Sequence, residues 1–227
     1  MTNARTLEMR TEELIRQLAA DATPLRPLRS PLVRTAIWLA WALPWVTAIV
    51  WIMGPRGDLR ALVANARWMT EEGAAVATAL TAAGAAFCAG VPGRPRWERC
   101  LPIPPLAVWL GALGQGCVHD WLQLGRTGLA LHPDWLCLPA VVLVGAGPAV
   151  AMTIMILRGS PIAPATTTML AALAAGGLAG AALPLFHRED VSLMVLVWQA
   201  GTVLALTGLA AVAGPKVLRW RRSEQLT

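Results

Sequence analysis

Residues 135–157 read WLCLPAVVLVGAGPAVAMTIMIL, twenty-three residues with no charge among them. As an α-helix this run rises about 35 Å. That is enough to cross the roughly 30 Å of a bilayer's hydrocarbon, which takes about 20 apolar residues. Five further runs have the same character: 32–53, 73–91, 101–118, 165–186 and 191–213. The run at 101–118 is the shortest and opens LPIPPLAVW. Its prolines suit the first turn of a helix better than its middle. Period-two alternation is absent, which argues against a lipid-facing barrel. The expectation is an all-α, polytopic membrane protein with six transmembrane helices.

Composition agrees. Of 227 residues 56% are hydrophobic and only 14% charged, where a soluble domain carries about 25% charged residues. The first apolar run begins only at Leu32, is too long for a signal core and lacks a small-residue cleavage pattern. It reads as a retained first span.

Basic residues set the expected orientation. With the N-terminus in the cytoplasm, the inner segments carry Arg5, Arg10, Arg16, Arg26, Arg29, Arg34, Arg94, Arg96, Arg99, Arg158, Lys216, Arg219, Arg221 and Arg222. The outer segments carry Arg56, Arg60, Arg67, Arg126 and Arg188. Fourteen of the 19 basic residues then lie inside, so both termini are expected to be cytoplasmic (N-in/C-in). The isoelectric point near 10.4 reflects this topology and contact with anionic lipid headgroups, and does not argue for direct nucleic-acid binding.

The organisation that follows is an arm at 1–31, a six-helix domain at 32–214 and a basic cytoplasmic tail at 215–227. In the arm, Leu7, Leu14, Ile15 and Leu18 put one narrow apolar stripe on a short helix, and DATPLRPLRSP is a proline-rich tether. One short helix cannot bury such a stripe against itself. It needs the bilayer surface, the ends of the bundle, or a groove on another protein.

Small residues mark close helix packing, or dimerisation, in lipid: Gly176 with Gly180, and Gly201 with Ala205. Among the 11 tryptophans, Trp51, Trp97, Trp121, Trp135 and Trp220 fall near span ends and read as belt residues. Trp38, Trp41 and Trp45 share a face of the first span and read as packing or lipid-facing groups.

No Asp, Glu, Lys or His lies deep inside these spans; the polar exceptions are Gln115 and Gln199. That lowers the case for an ion-coupled transporter or permease. The four serines lie at or outside span ends, which disfavours an intramembrane serine protease. His119, His132 and His187 all fall on the expected outer side, with Cys117 and Cys137. Those two thiols could pair in an oxidising periplasm, or Cys137 could join the histidines around zinc or copper. The bland alternative is ordinary hydrophilic loop for the histidines and apolar packing for Cys88 and Cys100. A thiol oxidoreductase using Cys117 and Cys137 is a rival, weakened by the lack of a C-x-x-C spacing.

Six stretches occur in order: LIRQLAADATPLRPL at 14–28, GPRGDL at 54–59, VPGRP at 91–95, HPDWLCL at 132–138, HRED at 187–190 and GPKVLRW at 214–220. Together they make the chain resemble the NrsF-like family of six-span bacterial membrane proteins. These act as anti-sigma factors for extracytoplasmic-function (ECF) sigma factors. The resemblance implies a non-enzymatic regulator at the inner membrane, holding a sigma factor through its cytoplasmic arm and releasing it on a periplasmic signal. Leu7, Leu14, Ile15 and Leu18 would be the apolar anchors, with Asp21, Arg26 and Leu28 beside them. Relatives often carry a cysteine after the histidine of the last outer loop, paired in function with the one matched here by Cys137. Arg188 stands in that place, so a two-cysteine metal or redox sensor does not carry over intact. Cys117 would have to substitute.

Overall fold

The computed structural model describes residues 11, 13–17, 19–20, 28–129, 137–159, 162–187 and 192–224. Six of its helices are long and apolar enough to cross a membrane, and no strand occurs among the described residues. They are α1 (Pro31–Met53), α2 (Ala66–Ala89), α3 (Ile103–Leu124), α4 (Cys137–Leu157), α5 (Pro164–Ala182) and α6. The last comprises Ser192–Met194, a π-helical stretch Val195–Ala200, and Gly201–Glu224. Six crossings bring the start of α1 and the end of α6 to one end of the bundle, called here the terminal end. The opposite end is the far end.

The starts of the helices follow from their sequences. Ser30 accepts from the Val33 N–H and Pro31 opens α1, a cap followed by a proline whose missing donor costs nothing there. The prolines of LPIPPLAVW do occupy the first turn of α3. Asn65 caps α2 by accepting from Arg67 and Trp68. This cap starts α2 seven residues before the apolar run begins at 73. Arg67, Glu71 and Glu72 therefore lie on the first two turns of the helix itself, ahead of the apolar run and not deep within it. At the other terminus α6 continues past Pro215 to Glu224, so the expected boundary at 214/215 does not coincide with a helix end.

The centre of the bundle is α5. In its membrane window 67% is buried, against 22% for α1. Helices α2, α4 and α6 pack around it, and α1 lies outside against α4 and α2. Lipid tails give apolar side chains no reason to leave them, so contact area and close approach hold such helices together. Gly177 of α5 meets Ala75 and Ala79 of α2, and Gly176 meets Val203 of α6. Gly180 meets Trp109 of α3 and Gln199 of α6. The Gly176 and Gly180 face is thus an internal packing face. Ala205 is exposed and Gly201 meets no neighbouring helix, so that second small pair packs nothing inside the bundle.

The three tryptophans of α1 divide by helical phase. Trp38 is fully buried and donates its indole N–H to the Pro148 carbonyl of α4 at 2.9 Å. Trp45, seven residues on, donates to Leu143 O at 3.2 Å. Its ring lies over Gly147, where a Cβ would come within 2.4 Å of it. Trp41, about 60° round the helix from Trp38, is 72% exposed. Pro148 breaks the hydrogen-bond ladder of α4, and the two indoles hold that weakened stretch from outside.

Candidate functional site

The described arm residues Thr11, 13–17, Ala19 and Ala20 are helical. Leu14 and Ile15 stand 55% and 60% exposed. Arg16 and Gln17 both reach Glu13, at 3.2 and 3.4 Å, on the same exposed helix. Leu7, Leu18, Asp21 and Arg26 lie outside the described residues. Leu28, named with them as a contact residue, is partly committed to the bundle. It lines a crevice at the terminal end with Arg34, Ala86, Gly90, Ile156, Gly159 and Thr167. Its Cδ1 lies 3.2 Å from where a Cβ on Gly159 would stand.

Beside Leu28, Arg34 is buried. It donates to Met155 O at 2.7 Å and places its guanidinium carbon 4.3 Å from the centre of the Phe87 ring. This ties α1 to α4 and α2 by a hydrogen bond and a cation–π contact. The VPGRP turn sits at the same end. Gly93 takes a φ of +76°, which a side chain would resist. Arg94 then grips Glu98 with two bonds of 2.6 and 2.7 Å, and this contact with Glu98 raises the Arg94 pKa further. In GPKVLRW, Gly214 crosses Thr168 of α5 so closely that no Cβ would fit. Thr168 donates to Ala210 O at 2.9 Å.

At the far end the GPRGDL and HRED stretches meet. Gly54 turns the chain at a φ of +86°. The buried Arg56 holds Asp58 with bonds of 3.0 and 2.8 Å and donates to the His187 carbonyl at 3.2 Å. Its backbone N–H donates to Leu185 O at 2.9 Å. The first and last far-end loops are thereby joined.

Next to this lies a node on three helices. Arg67 of α2 contacts Glu71 at 3.4 Å, Asp120 of α3 at 3.8 Å and the Ser192 hydroxyl of α6 at 3.4 Å. Asp120 accepts from the Ser192 backbone N–H at 2.9 Å, capping α6 from a neighbouring helix. Gly116 makes the approach possible, since a Cβ there would fall 2.3 Å from the Ser192 hydroxyl oxygen.

Among the described residues, the sensing residues named from the sequence form no cluster of three metal-ligating groups. No disulfide joins Cys117 to Cys137, the pairing that was one of the two alternatives for them. Their placement accounts for this. Cys137 is packed in the core at the start of α4, which leans on α1 and α5. Cys117 lies on α3, which leans on α2 and the start of α6. His119 places Nδ1 3.7 Å from Asp120, His187 contributes its backbone carbonyl, and His132 lies outside the described residues. No three His, Cys, Asp or Glu side chains among the described residues are placed to hold a metal ion.

The node and the Arg56 tie were missed from the sequence. Their readable signal is the Arg67–Glu71 spacing of four residues after an Asn cap.

A comparison with family models matches residues 18–220 to NrsF, negative regulator of sigma F. The chain belongs to the NrsF family. No curated protein and no solved structure matches it. As an NrsF protein it is a negative regulator whose partner is a sigma factor, built on a multi-pass membrane bundle. The NrsF match begins at Leu18, so Leu7, Leu14 and Ile15 precede it, while Leu28, Arg34, Arg56, Arg67 and Asp120 fall within it.

Proposed function

We propose that the chain is a membrane-anchored anti-sigma factor that holds an ECF-type sigma factor by residues 1–31 and is not an enzyme. Both termini face the cytoplasm of a bacterial inner membrane, and anionic lipids meet the basic residues there. Sequestration keeps the sigma factor from RNA polymerase, and an envelope signal at the far end releases it. The observation that carries this reading is the helical arm with Leu14 and Ile15 open to solvent, beside a bundle of a sigma-regulating family. Apolar residues left uncovered on a helical arm suit an apolar groove on a partner.

Release requires that the bundle have two arrangements with different arm availability. The seating of Leu28 against Gly159 gives such a difference a place to act. A permease or a thiol oxidoreductase accounts less well for a family of sigma regulators.

The test is capture of sigma factor by the detergent-solubilised full chain, beside the variant Leu14→Asp with Ile15→Asp. Two charges entering a buried groove cost several kcal/mol, so capture should be lost while the variant remains folded. Retention of sigma factor by that variant sinks the arm as the binding element.

A further inference from the structure

A partly open cavity of about 170 Å³ lies at the far end among α2, α3 and α6. No residue of the arm lines it. Its size is close to that of cavities that take a benzene-sized guest, about 150 Å³.

Three acceptors converge on it. Glu71 lines it; its buried Oε1 accepts no hydrogen bond and has only the Arg67 Nε nearby, at 3.4 Å. Glu72 lines it and has no ion pair or hydrogen bond among the described residues. Gln199 also lines it and is 4% exposed. Its Nε2 is committed to Gly180 O, leaving Oε1 with no donor among the described residues. Gln199 comes from the π-helical stretch of α6, a local widening that often marks functional positions.

The rest of the lining agrees. Two indoles, Trp68 and Trp109, face the same space. The lining holds two arginines and two glutamates. Arg56 is held by Asp58, and Arg67 is shared between Glu71 and Asp120, so both cations are engaged. Glu72 is the lining carboxylate left without a cation.

An occupant of such a site must be cationic, must donate hydrogen bonds and must be small. A primary ammonium has one positive charge and three N–H donors, matching three acceptors, and indole faces attract it further. We propose that this cavity binds a small primary ammonium, supplied either as a free amine or as an ethanolamine lipid headgroup.

The test uses the full chain in detergent, titrated with ethanolammonium and, separately, with the neutral near-isostere ethylene glycol. Calorimetry and tryptophan fluorescence report binding. Saturable binding of ethanolammonium alone is expected. Glu72→Gln and Gln199→Leu should each weaken it at least tenfold, while Glu13→Gln on the exposed arm leaves it unchanged. Equal binding of the two probes, no saturable binding, or undiminished binding by both cavity variants overturns the proposal.

Nanodiscs separate the sources. If a headgroup is the occupant, phosphatidylethanolamine discs suppress the titration seen in phosphatidylglycerol discs. If a free amine is the occupant, both discs titrate alike. Either pattern supports the site.

Discussion

Asp120 on α3 accepts the backbone N–H of Ser192 at 2.9 Å and so caps α6 from a different helix. A cap supplied in this way makes the start of the last span conditional on the position of the third. Asp120→Ala should cost about 1–2 kcal/mol, the usual effect of losing an N-cap acceptor. Asp120→Asn, which keeps an acceptor, should cost less. Thermal unfolding in detergent measures the difference. Hydrogen exchange should localise the loss to the first turn of α6.

Arg56 is the counterpart between loops. Its side chain is 4% exposed and joins Asp58 to the carbonyl of His187. Arg56→Ala removes charge-assisted bonds of the kind that contribute about 1.5–3 kcal/mol each when buried. Exposure of Asp58 to water lowers that figure. Faster amide exchange at 185–187 is expected, with α5 unchanged. Unchanged exchange there means the loops hold together without it.

Gly147 bears the Trp45 ring. A methyl group at that position would stand 2.4–2.7 Å from three ring atoms. Since Trp45 is 41% exposed, the ring can swing toward lipid, giving up its bond to Leu143 O. Gly147→Ala should therefore cost about 1–3 kcal/mol, the range for modest overpacking, without unfolding the bundle. A shift in Trp emission with a lowered melting temperature is the expected signature. Gly214→Ala is expected to be worse, because Thr168 would be met at 2.1 Å and is itself hydrogen-bonded across helices.

The four cysteines differ in access. Cys100 is exposed and Cys117 half-buried, whereas Cys88 and Cys137 are buried. Maleimide should modify Cys100 first, then Cys117, and reach the other two only on denaturation. Mass spectrometry without reductant should find no bond between Cys117 and Cys137. Finding that bond would place α3 beside α4 and contradict the packing.

The six helices were legible because lipid imposes one requirement on every span, a long apolar run with its backbone bonds satisfied internally. Their polar ends were not, because hydropathy cannot distinguish a loop glutamate from one in the second turn of a helix. Glu71 and Glu72 show this. The Asn65 cap, a local signal, moves the start of α2 back to Ala66 and changes what both carboxylates face. Tertiary contacts were harder still. Nothing in the spacing of Arg56 and His187, or of Asp120 and Ser192, indicates that each pair meets. The cysteines show the same limit: Cys117 and Cys137 lie on helices that lean on different neighbours. The ordered motifs carried real structural information, in that Gly54, Gly93 and Gly214 sit where a side chain would strain the backbone or strike a neighbour.

The small residues of α5 have a genetic consequence. From residue 170 to residue 182, ten of thirteen positions are Ala or Gly. Almost any replacement there enlarges the side chain, and in close-packed interiors added volume forces neighbours apart. Inheritance therefore treats this helix as a broad target although it bears no reactive group. A selection for cells that have lost repression would return lesions along α5, scattered among chemically silent positions, and their common property would be size.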